Sequence, residues 1–238
     1  MSRTRFRLTI MVPSFLLFVF LSAFLPAQKD NVLTKKEKKN GWKLLFDGES
    51  LAGWRTYKNR TGSWQVTNGE LVCPLGAKDY ADLITVDQYD NFELALDWKI
   101  EKGSNSGIMY HVLETHDVPY ATGPEYQLVD DNGYEGKLEE WQKSGSDYAM
   151  HAPSKLAAKP AGEYNHSKII FNNGHVEHWL NGIKVADFTA WSPEWEQLRA
   201  ASKWKDYPDY GKSKTGYIAF QGDHRGGVAF KNIKIRKL

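Results

Sequence analysis

The segment Asn91–Ile100, NFELALDWKI, constrains the fold more than any other stretch of the chain. Phe92, Leu94, Leu96, Trp98 and Ile100 alternate with Glu93, Ala95, Asp97 and Lys99, the period of two that a strand imposes on its two faces. One face is apolar, while Glu93, Asp97 and Lys99 share the other. SGIMYHVLE continues in the same style after a Gly103-Ser104-Asn105 turn. PEYQLVD sets Tyr126 and Leu128 against Glu125 and Gln127. Two Asn-Gly dipeptides, in IIFNNGHVEHW and HWLNGIKVADF, suit the positive φ of type I′ turns and predict a three-stranded meander over 167–188. TGYIAFQ and GVAFKNIKIRKL supply the closing strands, Ile218 and Phe220 facing one way and Ala219 and Gln221 the other. One short helix is expected near 193–204, where Ser192 can cap, Pro193 suits the first helical position and Glu194 complements the dipole. Gly136–Lys143 offers a weaker helical turn. About a dozen short strands with frequent turn signals make an all-β, two-sheet sandwich or jelly roll, with a polar, concave sheet face as the place for a site.

Composition narrows the class. With 238 residues, 41% hydrophobic and 25% charged, the chain can bury a full core and is neither collagen-like, coiled-coil nor disordered. Its single cysteine, Cys73, excludes an internal disulfide framework and a cysteine-cluster zinc site, and reads as a buried small residue. Residues 1–27 read as a signal peptide: Arg3, Arg5 and Arg7, an apolar run from Leu8 to Leu25, then Pro26-Ala27, with an uncleaved anchor as the alternative. The protein is therefore expected to be exported, periplasmic or secreted, with no membrane contact beyond the export signal. Residues 28–40 read as a polar, solvated tether, and 41–238 as one domain. Without the leader, 28 basic and 29 acidic side chains remain, which gives no basic surface for nucleic acid.

Familiar catalytic motifs are missing. Gly211-Lys212-Ser213 resembles the end of a phosphate-binding loop, but Asp206 stands where its first glycine belongs. There is no His-Glu-x-x-His, Gly-x-Ser-x-Gly or EF-hand loop, nor the Glu-x-Asp-x-x-Glu strand of one group of sandwich glycanases. Trp54, Trp64, Trp98 and Trp179 read mainly as core; one or two aromatics could instead stack on a sugar face. His166 falls in an expected loop and His175 in a hairpin turn, while His224 sits in a Gly- and Asp-rich loop between the closing strands, better placed for a role. Glu125 and Gln127, on one strand face, fit either a solvated edge or a site.

Seven segments in order carry a resemblance: GWKLLFDGESLAGW, DNFELALDWKI with SNSGIMYHV, TGPEYQLVDD, KPAGEYN, VEHWLNG, GYIAFQGDH and VAFKNIKIRKL. From Gly41 to Leu238 the chain resembles the 3-keto-disaccharide hydrolase domain family, whose fold is a concanavalin A-like jelly roll. The resemblance implies cleavage of glycosides already oxidised at C3, by hydrolysis or by C1–C2 elimination followed by hydration. The substrate implied is a small glycoside or disaccharide, and no nucleotide cofactor is needed. It points to Glu125 and His224 as the acid/base pair, and to Lys99 and Gln127 as polarising or orienting groups. Asp97, Asn105, Asp130, Tyr148 and Gln221 match further motif positions, and His151 stands where an aromatic is usual. Gln221-Gly222-Asp223-His224 departs from the family's more common Gln-Asp-His-Gly, which shifts the setting of His224. Glu125, Asp130, Asp97 and His224 could also ligate a divalent cation, calcium or another. Two rivals accompany this reading: a non-catalytic carbohydrate-binding module, and an ordinary glycosidase pairing Glu125 with Asp97 or Asp130 at about 5–9 Å.

Overall fold

The computed structural model describes residues 29–76, 78–222 and 227–238. The signal-peptide expectation and His224 lie outside the described residues. Numbered along the chain, the strands are β1 (Lys43–Leu44), β2 (Trp54–Thr56), β3 (Gln65–Thr67), β4 (Glu70–Cys73), β5 (Leu83–Thr85), β6 (Phe92–Ile100), β7 (Asn105–Val112), β8 (Glu125–Val129), β9 (Asn165–Asn172), β10 (His175–Leu180), β11 (Ile183–Thr189), β12 (Tyr217–Phe220) and β13 (Val228–Lys237). They form two antiparallel sheets. One has eight strands in the order β11-β10-β9-β6-β13-β4-β3, with β1 added beside β13; the other has five, β2-β5-β12-β7-β8. The all-β jelly-roll expectation stands.

The alternation in β6 does what its period requires. Phe92, Leu94, Leu96, Trp98 and Ile100 are buried in the space between the sheets, facing Ile108 and Tyr110 of β7, Tyr126 and Leu128 of β8, and Ile218 and Phe220 of β12. Phe220 stacks on Phe230 of β13 with ring centroids 4.3 Å apart, joining the sheets at that end. Fully burying one such side chain contributes about 1.5–3 kcal/mol. Ser167 Oγ accepts from Trp98 Nε1 at 2.8 Å and meets Tyr126 Oη at 2.8 Å, a hydroxyl shared by both sheets. Cys73 is buried, as expected.

The predicted meander is β9–β10–β11. Asn173-Gly174 and Asn181-Gly182 all take positive φ, as type I′ turns demand. Asn68-Gly69 makes a third such turn, between β3 and β4. Ser192 caps the helix Pro193–Ala201 (α2) by accepting from Trp195 N at 3.2 Å, and the last expected turn is a separate 3₁₀ segment, Lys203–Asp206. The weaker turn shortens to a 3₁₀ segment, Glu140–Gln142. His166 lies in β9 rather than in a loop.

The solvated tether is corrected. Within 29–40, Thr34 and Glu37 form a capping box on α1 (Lys35–Lys39). Asn31 and Asn232 exchange hydrogen bonds, Asn31 N to Asn232 Oδ1 at 2.6 Å and Asn232 N to Asn31 Oδ1 at 2.8 Å. Asp30 pairs with Lys231 at 2.7 Å, and Glu37 with Lys234. Although burial opposes ionisation of Glu37, these partners draw its pKa down to about 2. The segment is bound to β13 on the outer side of the eight-stranded sheet.

Candidate active site on the outer face of the five-stranded sheet

Tyr126 and Leu128 face the core, so pleating turns Glu125 and Gln127 to the opposite, outer face of β8. Register completes the row: Gln127 lies across from Gly107 of β7, and Gln221 continues β12 with its N donating to Gly107 O at 2.9 Å. Asn105, two residues before Gly107, shares that face and pairs in register with Val129. Four polar side chains from three neighbouring chain segments therefore surround a residue without a side chain. A Cβ on Gly107 would fall 2.1 Å from Glu125 Oε1, so the Glu125 carboxyl occupies the space above that glycine. Glu125 is only 3% exposed. The Gln127 amide nitrogen, in the orientation its surroundings require, donates to Glu125 Oε1 and to Ser106 O, each at 3.2 Å. Gln221 Oε1 is buried and has no hydrogen-bond partner among the described residues.

Residues 144–148 close the edge of β8. Gly145 N donates to Gln127 O at 2.9 Å, Gln127 N to Ser146 O at 3.2 Å and Tyr148 N to Glu125 O at 3.0 Å. Tyr148 thereby stands beside Glu125. Burial, reinforced by the Glu125 charge against a lowering bond from Gln142, raises its phenol pKa and keeps it a donor at neutral pH. Lys203 Nζ lies 4.2 Å from the Tyr148 ring centroid and 4.3 Å from that of Trp204, with Tyr120 at 5.8 Å. Sequence reasoning missed Lys203, Tyr120 and Gly107. The sequence signal for Lys203 is its position just past the capped helix α2, which says nothing about which strand it meets.

Several expected site residues are elsewhere. Asp97 and Lys99 project from the outer face of the other sheet, with the whole apolar layer between them and Glu125. Asp97 accepts from Asn232 Nδ2 at 2.7 Å and pairs with His166 at 2.7 Å, which, together with the Lys231 charge, lowers its pKa against the effect of burial. Lys99 pairs with Glu70 at 3.2 Å and lies over the Tyr164 ring at 4.9 Å. Asp130 ends its strand on a turn, its carboxylate accepting from Gly103 N at 2.9 Å and Gly133 N at 3.0 Å. Five residues of strand separate it from Glu125, roughly 16 Å at about 3.3 Å each, and the two side chains point to opposite faces. Neither Asp97 nor Asp130 can therefore be the second carboxylate of an ordinary glycosidase or share a cation with Glu125. His151 stacks on Phe188 of β11 (centroids 4.5 Å apart, planes 10° apart) and binds buried Asp147 at 2.8 Å, on the core side of the 144–148 strip. The structure thus brings together Glu125, Gln127, Asn105, Gln221 and Tyr148, and sets Asp97, Lys99, Asp130 and His151 apart from them.

A buried carboxyl over a glycine, two carboxamides, and an aromatic wall crossed by an ammonium therefore line this outer face. The chain belongs to the 3-keto-alpha-glucoside-1,2-lyase-like family, whose model matches residues 41–236. A 3-keto-disaccharide hydrolase of Bacteroides thetaiotaomicron is 34% identical over 230 residues, covering 84% of this chain and 79% of that protein. The crystal structure of a candidate glycosyl hydrolase from Parabacteroides distasonis is 45% identical with a TM-score of 0.82, covering 88% of this chain and all of that one. The carbohydrate-binding module CBM66 of Bacillus subtilis, 13% identical with a TM-score of 0.50 over 78% of this chain and 96% of that one, shares the fold alone. The protein is carbohydrate-active, a glycoside-cleaving hydrolase or lyase.

Proposed function

We propose that the protein is exported and cleaves glycosides oxidised at C3 of the sugar ring, with Glu125 as the proton-transfer group. The observation that carries this reading is the Glu125 carboxyl held over Gly107 between carboxamides and a protonated phenol. A C3 ketone acidifies the C2 hydrogen, so a carboxylate placed against C2 can take that proton while the electron pair forms the enolate. Phenol and ammonium donors, here Tyr148 and Lys203, stabilise the negative charge that develops on O3, while Gln127 orients the Glu125 carboxyl. Collapse of the enolate breaks the C1–O bond. The leaving oxygen takes up a proton, for which His224, two residues beyond Gly222 in sequence, is the proposed donor. Water then adds to C1 and the proton returns to C2, so the net change is hydrolysis; release before hydration makes the enzyme a lyase. No step needs a nucleotide cofactor or a metal.

The test is release of free sugar from 3-keto-trehalose or 3-keto-lactose and from their unoxidised parents. Wild type is expected to cleave only the oxidised forms, and Glu125→Gln to lose about 10²–10⁴-fold in kcat. Wild-type turnover by Glu125→Gln refutes the assignment. Tight binding of unoxidised sugars without turnover of either form makes the protein a binding module.

A further inference from the structure

We propose a divalent-metal site, of a kind suited to zinc, on the β10–β11 hairpin at the edge of the eight-stranded sheet. His175 and Glu177 are two residues apart on β10 and so share its outward face, while Asp187 of β11 is the register partner of Glu177. One ligand atom from each of the three lies within 4.8 Å of the others. His175 Nε2 and Asp187 Oδ1 are already 2.8 Å apart. A tetrahedral ion with bonds of about 2.0–2.1 Å needs its ligand atoms about 3.3 Å from one another. His175 and Asp187 part by about 0.5 Å and Glu177, 18% exposed, draws in by about 1.5 Å, a small side-chain adjustment shared by all three.

Charge and orientation favour a cation there. A neutral imidazole and two carboxylates carry −2, and the structure answers this with one ammonium: Lys184 pairs with Asp187 and lies 3.5 Å from Glu177 Oε1. Lys184 is 38% exposed, so it can swing into water when a divalent ion replaces it. Glu177 is held from behind, because Trp179 Nε1 donates to its Oε2 at 2.6 Å; such outer partners orient metal-ligating carboxylates. One nitrogen and two oxygens suit zinc and its first-row neighbours, and leave the fourth position to water. The hairpin lies across the core from Gly107, so this site is separate from the proposed proton-transfer chemistry and stands or falls without it.

The test is equilibrium dialysis of the full chain against Zn²⁺ alone. One equivalent is expected, with affinity reduced at least tenfold in His175→Ala and in Asp187→Asn, and increased in Lys184→Met, where the competing ammonium is gone. Co²⁺ should quench tryptophan emission, and Trp179→Phe should remove that quenching. No uptake at about 1 mM Zn²⁺, or uptake indifferent to both His175→Ala and Asp187→Asn, overturns the proposal. Removing the metal with a chelator should leave sugar release unchanged.

Discussion

Replacing Gly107 by alanine adds one methyl group where the proposed mechanism can least accommodate it. The backbone at Gly107 is ordinary strand, outside the left-handed region, so alanine meets no conformational penalty there. The new Cβ would sit 2.1 Å from Glu125 Oε1, 2.8 Å from its Cδ and 2.9 Å from its Cγ. A carbon–oxygen contact relaxes at about 3.3 Å, so the carboxylate must retreat by about 1.2 Å. Displacing a reacting group by about 1 Å costs on the order of 10²-fold in rate, about 2.7 kcal/mol of barrier. Stability should fall by at most about 2.6 kcal/mol, leaving the protein folded. Overpacking costs about 1–3 kcal/mol, against about 0.4–1 kcal/mol gained from the stiffer unfolded chain. The assay is kcat on a 3-keto-disaccharide measured beside thermal unfolding of the same preparation. Glu125→Asp shortens the acid by one methylene and removes the 2.1 Å and 2.8 Å contacts, leaving the one at Cγ, so Gly107→Ala should cost less in that background than in wild type. Wild-type kcat in a folded Gly107→Ala protein, or strict additivity of the two changes, would refute the reasoning.

Three further outcomes follow from other parts of the molecule. His178 is wholly buried, and burial pushes its pKa down to about 3 from 6.5. Between those values the unfolded chain binds more protons than the folded one, so stability falls by several kcal/mol as the pH drops from 6.5 towards 3. Urea midpoints across that range should fall less steeply in His178→Gln. Asn232→Ala removes the side-chain oxygen that accepts from Asn31 N and the Nδ2 bonds to Asp30 at 2.8 Å and Asp97 at 2.7 Å, and should speed tryptic cutting at Lys35–Lys39 while sugar release is unchanged. Lys203→Met removes the ammonium over Tyr148 and should lower kcat more than it raises KM, because the charge acts on the enolate; an effect confined to KM would assign Lys203 to binding alone.

The strands were readable because a sheet buried on one side writes its period directly into the residues, as β6 and the two Asn-Gly hairpins of the meander show. The docked segment 29–40 was not, because KKEKK looks the same whether solvated or bound, and the Asn31–Asn232 exchange joins residues 201 positions apart. The site divides along a similar line. Period two separates core-facing from outward-facing side chains, which is how Glu125 and Gln127 came to share a face and equally how Asp97 and Lys99 did. A sandwich, however, has two outward faces, and the pattern within a strand is identical on both. Only the pairing order decides between them: β8 beside β7 and β12 in one sheet, β6 beside β9 and β13 in the other. That order depends on contacts made across the chain. The role of Gly107 is subtler still, since its meaning lies in the absence of a side chain opposite Gln127. A glycine inside an apolar strand, two residues past the Gly103-Ser104-Asn105 turn and not needed for it, is the local signal that a neighbouring carboxyl needs the space, because a strand gives up packing and chain entropy to keep it.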